Sequence, residues 1–317
     1  MTNSNTCSHN KIVLDQGSQV MKISGFKSKI GIQNMKKVVI TGVSTGIGYA
    51  SAKILCNSGY IVYGSVRTNE DAERIASELG VNFHPLIFDV TDLQGVLNGA
   101  RKVKSELIDG EYITGLVNNA GVAMGGPVTL IDTDVFRKQF DINFFGLIDV
   151  TKAFLSMLGA SNNSKRQGKI INISSVSGKR AHPFVAPYTA SKFAVEAFSD
   201  SLRRELLIYG VDVILIEPGP IKTAIWDKVP DVENNEFIGT DYESSLRRFY
   251  KMFIEMGRKG WNADVIGIRV KKILEQPRPK TRHVITPNRF VNYTLPGILP
   301  DRIMDKLIGK GLGLVKT

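Results

Sequence analysis

Short apolar runs alternate with longer stretches of helical periodicity between residues 38 and 286. Runs rich in β-branched residues predict strands, and apolar positions repeating at i, i+3 and i+4 predict helices. The predicted strands are 38–41, 61–65, 83–88, 115–118, 169–174, 211–216 and 283–286, and the predicted helices lie near 47–58, 71–79, 93–107, 134–158, 188–209 and 263–275. Regular alternation of this kind predicts an α/β fold with a single doubly wound parallel sheet of about seven strands and helices on both faces.

The two ends of the chain differ from this body. Residues 1–35 show neither period and are rich in Asn, Ser and Lys, so we expect a disordered extension before a domain over 36–290. A basic tail follows over 291–317. A lid is predicted near 225–257, where large apolar residues recur, some at near-helical spacing: Ile225, Trp226, Val229, Leu246, Phe249, Tyr250, Phe253 and Met256. This stripe could cover an apolar substrate, or it could simply cap the sheet.

Charge and cysteine content exclude several classes. The formal net charge is +11, but residues 36–239 carry 21 basic and 22 acidic side chains, whereas residues 240–317 carry 16 and 7. The excess therefore lies in the tail, and because no nucleic-acid motif accompanies it, we expect no nucleic-acid partner. Only two cysteines occur, without metal-ligand spacing, which favours a cytoplasmic protein without a metal site. No apolar run is long enough to span a bilayer.

A glycine-rich loop joins the first strand to the first helix. It reads Thr41-Gly42-Val43-Ser44-Thr45-Gly46-Ile47-Gly48. In a strand–loop–helix context, Gly42 permits the tight turn, Gly46 lets backbone amides approach a pyrophosphate, and Gly48 lets the helix pack on the strand. The alternative is a glycine-rich turn without a ligand, but the context favours a bound dinucleotide.

The end of the second strand bears on the choice of dinucleotide. Val66 stands where NAD-binding proteins carry a carboxylate for the adenosine ribose, and Arg67 follows it. A guanidinium can pair with a 2′-phosphate, and the hydroxyls of Ser44 and Thr45 could add donors. The sequence thus favours NADP(H), with NAD(H) as the alternative if Arg67 is an ordinary surface residue.

Tyr188 and Lys192 are four residues apart on a predicted helix and therefore share a face. An ammonium beside a phenol favours the phenolate and lowers its pKa. Ser175, thirteen positions upstream, could hydrogen-bond a carbonyl oxygen at the same point. These three groups predict a site that protonates a carbonyl or deprotonates an alcohol.

Together, the glycine loop, Asn118-Asn119-Ala120-Gly121, Asn143, Ser175, Tyr188-x-x-x-Lys192 and Pro218-Gly219 resemble the short-chain dehydrogenase/reductase family over about residues 36–287. The glycine spacing is most like the single-domain oxidoreductase branch, and in particular its hydroxysteroid and retinol dehydrogenase-type members. The resemblance implies a Rossmann fold and an NAD(P)-dependent interconversion of an alcohol with its ketone or aldehyde by hydride transfer.

The same resemblance implies individual roles. Tyr188 is the acid/base, Lys192 lowers its pKa and bonds the nicotinamide ribose, and Ser175 orients the substrate oxygen. Asn143 would position a water near Lys192, with Asn172 and Ser174 as weaker rivals. The remaining cofactor contacts implied are Ile47 in the loop, Asp89 and Val90 at the adenine, Asn119 at the ribose, and Pro218, Gly219, Ile221 and Thr223 at the carboxamide.

The sequence leaves partners and two other functions open. We expect a small apolar alcohol or carbonyl substrate, and a homodimer or homotetramer formed through two apolar helices: Phe136, Phe140, Phe144, Phe154 and Leu158 on one, with Phe193, Ala197 and Leu202 on the other. A reductase of carrier-linked 3-oxoacyl groups and a non-catalytic nucleotide-binding regulator are the alternative functions. The tail pattern of Ile303, Leu307 and Lys310, widened by Met304 and Ile308, could rest on a membrane, but docking on the protein itself is favoured.

Overall fold

The computed structural model describes residues 35–108, 110–162, 164, 167–223 and 236–315. Those from Lys36 onward belong to one unit. The predicted extension, apart from Met35, lies outside the described residues, as do Ile225, Trp226 and Val229 of the predicted lid.

A seven-stranded, fully parallel sheet forms the centre of this unit, in the order β3-β2-β1-β4-β5-β6-β9. Its strands are β1 (Lys37–Ile40), β2 (Ile61–Val66), β3 (Phe83–Ile87), β4 (Gly115–Asn118), β5 (Lys169–Ile173), β6 (Asp212–Pro218) and β9 (Arg282–Ile285). Two-residue strands β7 (Ile221–Lys222) and β8 (Trp261–Asn262) pair separately. The central strands are buried along their length because helices cover both faces of a parallel sheet. The predicted doubly wound fold is confirmed.

The helices connect successive strands. They are α1 (Gly46–Asn57), α2 (Asn69–Leu79), α3 (Leu93–Ser105), α4 (Thr133–Phe140), α5 (Gly146–Phe154), α6 (Ala186–Glu205), α7 (Glu243–Arg258), α8 (Asp264–Glu275), α9 (Leu295–Ile298) and α10 (Asp301–Leu312). The predicted helix 134–158 is interrupted, since a π-helical turn at Asp141–Phe145 separates α4 from α5. Such turns insert an extra residue and rotate the side chains that follow.

The tail helix α10 docks differently from the expected pattern. Ile308 and Leu312 pack against the apolar side of α7, whereas Ile303 and Leu307 face solvent. Of the predicted stripe, Ile308 lies on the docked face, whereas Ile303, Leu307 and Lys310 lie on the outer face of α10.

The order of the sheet locates the functional site. Strand order reverses between β1 and β4, so the loops that follow these two strands diverge and leave a crevice at their carboxyl ends. The glycine loop follows β1, and Asn119 follows β4. Ligands of doubly wound sheets bind at such a point.

Candidate active site

The glycine loop has a shape that only glycine accommodates. Gly42 and Gly46 adopt positive φ angles of 69° and 62°, a region that residues with a Cβ rarely enter. A Cβ at Gly48 would collide with the carbonyl oxygen of Gly42. The loop leads into the start of α1, where the Thr45 side chain caps no amide among the described residues. Free amides at a helix start suit a phosphate, so the loop fits a dinucleotide.

Polar side chains from neighbouring strands hold this loop in place. The Asn119 amide donates to the carbonyl oxygens of Thr41 and Gly42, both at 2.9 Å. The Thr41 hydroxyl accepts from the backbone amides of Asn119 and Ala120, and Ser65 Oγ accepts from the amide of Gly42. Asn119 therefore supports the loop through its side chain, a contact that the predicted ribose role did not include.

The segment after β6 lies against the other end of the loop. A Cβ at Gly46 would come within 3.3 Å of the Thr223 side chain. Gly219 donates its backbone amide to the carbonyl oxygen of Ile285, and the Ile221 side chain is buried. The structure thus brings Pro218, which ends β6, and the three residues predicted near the carboxamide to the same crevice as the glycine loop.

Two arginines lie near the carboxyl end of β2, where the sequence predicts the adenosine ribose. Val66 is buried at the end of β2, and the Arg67 side chain after it is exposed. Arg74 Nη2 donates to the carbonyl oxygen of Ser44 at 3.0 Å and also pairs with Asp71 at 2.6 Å. Sequence reasoning missed Arg74, which reaches the loop only because α2 packs beside it. Asp71 and Glu78 balance the charge of Arg74, so the exposed Arg67 is the guanidinium that suits a phosphate here.

Asp89 and Val90 follow β3, the strand that pairs with β2. Asp89 Oδ1 accepts from the amide and the hydroxyl of Thr91, at 2.9 and 2.7 Å. Val90 is buried, and a Cβ at Gly146 would press against it. This pair closes the turn before α3 and lies at the carboxyl edge of the sheet, as an adenine contact would require.

Tyr188, Lys192 and Ser175 meet at the start of α6. Ser175, two residues after β5, lies close enough to the Tyr188 hydroxyl to lower its pKa. Lys192 Nζ lies 5.9 Å from the centre of the Tyr188 ring and donates to the carbonyl oxygen of Ile173 at 2.7 Å. One turn of helix and the adjacent strand end therefore place a phenol, an ammonium and a hydroxyl together.

Burial governs the protonation of both α6 groups. It raises the pKa of Tyr188, and the hydrogen bond from Ser175 only partly opposes this. Burial lowers the pKa of Lys192 to about 8, against a smaller upward effect of Glu196. The lowering of the tyrosine pKa by Lys192 stays a prediction, since burial is the largest influence on the phenol in this structure. At neutral pH the phenol carries its proton.

Asn143 lies in the π-helical turn and is buried. Its Oδ1 accepts from the Val122 amide at 2.9 Å, and its Nδ2 lies within hydrogen-bond distance of both Val122 O, at 3.0 Å, and Ser191 Oγ, at 3.2 Å. Ser191 precedes Lys192 on α6, so Asn143 links the segment after β4 to the helix that carries Tyr188 and Lys192. Its predicted role with water remains a prediction.

The two rivals of Asn143 occupy other environments. Asn172 is fully buried between Asn118, which donates to it at 2.9 Å, and Ser199, to which it donates at 2.8 Å. Ser174 is buried, and a Cβ at Gly178 would touch its hydroxyl. Both lie within the protein interior, with Asn172 part of a polar ladder between β4, β5 and α6.

An aromatic and aliphatic cluster covers one side of Tyr188. Phe184 and Val185, just before α6, pack there with residues of α7 and α10. The cluster comprises Phe184, Val185, Phe237, Leu246, Phe249, Tyr250 and Leu312, with Ile131, Tyr188, Tyr242, Phe253 and Ile308 at its edge. Met256 is exposed and takes no part. The α7 stripe thus packs beside Tyr188, which makes the surroundings of the phenol apolar.

A buried polar network behind the site was missed from the sequence. Glu217, which directly precedes Pro218, is fully buried and accepts from the Tyr293 hydroxyl at 2.7 Å. Arg282 pairs with Glu196 at 3.1 Å, and Arg180 donates to the Tyr293 carbonyl oxygen. The network connects the tail to β6 and α6. Only the charge of Glu217, inside an apolar strand, could have signalled it.

Among the described residues, no group of three or more His, Cys, Asp or Glu side chains is arranged to hold a metal ion. Within the same part of the chain, no helix combines the length and the apolar character needed to cross a membrane.

Comparison with known proteins assigns the chain to a family. The model of the short chain dehydrogenase family matches residues 36–234. The chain is 38% identical over 278 residues to the NADPH-dependent 3-dehydrocapnine reductase of Ornithobacterium rhinotracheale, covering 88% of this chain and 98% of that protein. It is 32% identical over 268 residues to the 3-ketodihydrosphingosine reductase of Bacteroides thetaiotaomicron, covering 84% and 94%.

A solved structure shows the same fold. The crystal structure of a short chain dehydrogenase from Burkholderia cenocepacia in complex with NADP superposes with a TM-score of 0.65 at 23% identity, covering 86% of this chain and 97% of that one. The family match, the two relatives and the seven-stranded sheet agree. The chain therefore belongs to the short-chain dehydrogenase/reductase family of oxidoreductases.

Proposed function

We propose that this protein is an NADPH-dependent reductase of an apolar ketone or aldehyde, interconverting the carbonyl compound and its alcohol. The observation that carries the proposal is Tyr188, a half-buried and protonated phenol next to Ser175, with Lys192 beside it and an apolar cluster against its ring. A proton donor in apolar surroundings suits a carbonyl substrate that carries a hydrocarbon group.

Tyr188, Ser175 and Lys192 have separate roles in the proposed reduction. Bound NADPH supplies the hydride that adds to the carbonyl carbon. Tyr188 gives its proton to the carbonyl oxygen, and Ser175 donates a hydrogen bond to the same oxygen as negative charge develops on it. Lys192, which keeps its charge below pH about 8, favours the phenolate that remains. In the oxidative direction Tyr188 takes the proton back from the alcohol.

The preference for NADPH follows from the ribose end of the crevice. Arg67 offers a guanidinium to a 2′-phosphate, and the buried Val66 offers no carboxylate to a free ribose hydroxyl. The relative from Ornithobacterium rhinotracheale is named as NADPH-dependent. Replacing Arg67 with Ala should weaken NADPH binding by roughly tenfold or more, because charge-assisted bonds are lost, and leave NADH binding nearly unchanged. Equal loss for both nucleotides would contradict this assignment.

For the substrate we propose a 3-oxo compound with an apolar chain. Two relatives are named as reductases of 3-dehydrocapnine and of 3-ketodihydrosphingosine. The α7 cluster beside Tyr188 supports an apolar substrate. A reductase acting on carrier-linked groups would instead need a surface that binds the carrier protein.

The direct test is a substrate screen with the purified protein. NADPH consumption is followed with 3-ketodihydrosphingosine, 3-dehydrocapnine, a ketosteroid, retinal, and a 3-oxoacyl group on an acyl carrier protein. Turnover of one of the first four, lost in Tyr188→Phe, supports the proposal. Turnover of the carrier-linked group alone would favour the acyl reductase. NADPH binding without turnover of any of the five would favour a nucleotide-binding regulator.

A further inference from the structure

Helix α10 has two apolar faces, and the described part of the chain covers one of them. Ile308 and Leu312 pack against α7 in the cluster beside Tyr188. On the side of the helix away from α7, Ile303 and Leu307 remain 47% and 57% exposed. A docked surface helix ordinarily turns polar residues outward. Two large aliphatic side chains at i and i+4 on the outer side therefore need a separate explanation.

The cations of α10 form a row beside this outer apolar pair. Arg302, Lys306 and Lys310 follow one another at i, i+4 and i+8, so they lie along one line of the helix surface, and all three are exposed. The two acids, Asp301 and Asp305, lie on the other side of that line, towards the docked face. The outward surface of α10 is consequently apolar and positively charged.

The segment just before α10 also exposes apolar and positively charged side chains. Phe290, Val291 and Ile298 are among its most exposed large apolar side chains, at 62%, 56% and 69%. Arg289 stands beside the first of them. Residues 240–317 as a whole carry 16 basic and 7 acidic side chains. Exposed apolar groups concentrated in a region of excess positive charge are typical of a binding surface.

We propose that the outer face of α10, formed by Arg302, Ile303, Lys306, Leu307 and Lys310, docks on the surface of an anionic phospholipid membrane. Charge complementarity selects this occupant. Phosphate head groups would meet the three cations while the aliphatic pair enters the boundary with the acyl chains. A second copy of the chain fits poorly, because a two-fold contact through this face would oppose its own rows of cations.

A groove of about 530 Å³ opens beside this surface. Asp305, Lys306 and Ile308 of α10 line one wall, and His182 and Pro183 line the other. Pro183 precedes Phe184, which packs in the cluster beside Tyr188. Docking through α10 would hold this groove next to the membrane. An apolar substrate could then pass from the membrane into the groove. This delivery rests on the proposed function, whereas the docking of α10 does not.

The test uses the full-length protein and sedimentation with lipid vesicles, without any activity measurement. Vesicles of phosphatidylcholine containing phosphatidylglycerol are compared with vesicles of phosphatidylcholine alone, at low and high salt. We expect the protein to sediment with the anionic vesicles at low salt, to be released at high salt, and to stay in the supernatant with neutral vesicles. Protein that stays in the supernatant with anionic vesicles at low salt would overturn the proposal.

Two sets of variants locate the surface. R302Q/K306Q/K310Q should lower partitioning by roughly fivefold for each cation removed. Its matched control, R101Q/K102Q/K104Q on α3, removes equal charge elsewhere and should retain binding. I303S/L307S should also lower partitioning, whereas L207S/I208S, at two aliphatic residues that are both 73% exposed, should not.

Equal losses in variants and controls would show general attraction of a basic protein, and the assignment to α10 would be wrong. An I303S/L307S protein that changes oligomeric mass in light scattering but keeps its partitioning would make the occupant a second copy of the chain. That result too would overturn the proposal. Circular dichroism of each variant checks that α10 remains folded.

Discussion

At the scale of single residues, burial acts in opposite directions on the two ionisable groups of α6. Removing water disfavours the charged form of each, so the pKa of Tyr188 rises and that of Lys192 falls to about 8. The neutral phenol is the form that donates a proton, and the ammonium survives at neutral pH. In the proposed reaction, these two protonation states serve reduction.

Replacing Tyr188 with Phe should separate binding from turnover. The change removes one hydroxyl and leaves the ring in its apolar cluster, so NADPH affinity should stay within about twofold while turnover falls by about 10²–10⁴-fold or more. Fluorescence titration with NADPH measures the first quantity and steady-state kinetics the second. If Tyr188→Phe retains most of its turnover, another group supplies the proton.

The lowered pKa of Lys192 predicts how the free energy of unfolding changes with pH. The unfolded chain keeps this proton up to pH about 10.5, whereas the folded protein loses it near pH 8. Between these values the unfolded state binds more protons, so this group makes the free energy of unfolding rise with pH. Relative to Lys192→Met, the wild type should gain up to about 3 kcal/mol over that interval.

Urea denaturation of both proteins at several pH values measures this difference. Lys152→Met, at an exposed lysine of α5, serves as the control and should differ from the wild type by a constant amount. A pH-independent difference between the wild type and Lys192→Met would mean that Lys192 keeps its ordinary pKa in the folded protein.

At the scale of elements, the contact between β1 and α1 depends on Gly48. A Cβ there would collide with Gly42 O and press on the Asn119 amide that holds the loop. Gly48→Ala should therefore distort the phosphate cradle and weaken NADPH binding by roughly tenfold or more, since overpacking of this kind costs about 1–3 kcal/mol. Isothermal titration calorimetry with NADPH measures the change.

Gly311→Ala is the matched control, because a Cβ at Gly311 in α10 meets nothing within 4 Å. There the substitution should leave NADPH affinity unchanged and stabilise the helix by up to about 1 kcal/mol. Similar NADPH binding by Gly48→Ala and the wild type would show that the loop tolerates a side chain at this point.

At the scale of the whole molecule, α6 and the π-helical turn before α5 present apolar side chains that the sheet does not cover. Phe154 and Leu158 of the predicted interface are core residues, but Phe193 and Ala197 are exposed, and Phe145 joins them. We predict a homodimer or homotetramer through these helices, since exposed aromatic groups of this kind commonly lie in interfaces. Light scattering at micromolar concentration should give a multiple of the 34.9 kDa chain mass.

Phe193→Glu tests where the subunits meet. A charge at the centre of the interface should reduce the mass to that of one chain, while Leu207→Glu, also at an exposed apolar residue, should leave it unchanged. A wild-type protein that is monomeric at this concentration refutes the prediction.

Local patterns of the sequence determined the succession of strands and helices along the chain and the position of the glycine loop. They also determined that Tyr188 and Lys192 share one face of a helix. Each of these depends on residues close together in the chain: the alternation of apolar runs, the strand–loop–helix context of Gly42 to Gly48, and a spacing of four on a helix. Such features follow from backbone geometry, which repeats with a known period.

Only the tertiary structure decided which environment each residue occupies. Whether Asn143 or Asn172 faces the α6 site, which side of α10 docks, and whether burial or Lys192 controls the tyrosine pKa all depend on contacts between distant segments. Tyr293 and Glu217, joined by a hydrogen bond, are 76 positions apart. Desolvation and close packing are set by all neighbours in space at once, and no window of sequence contains them.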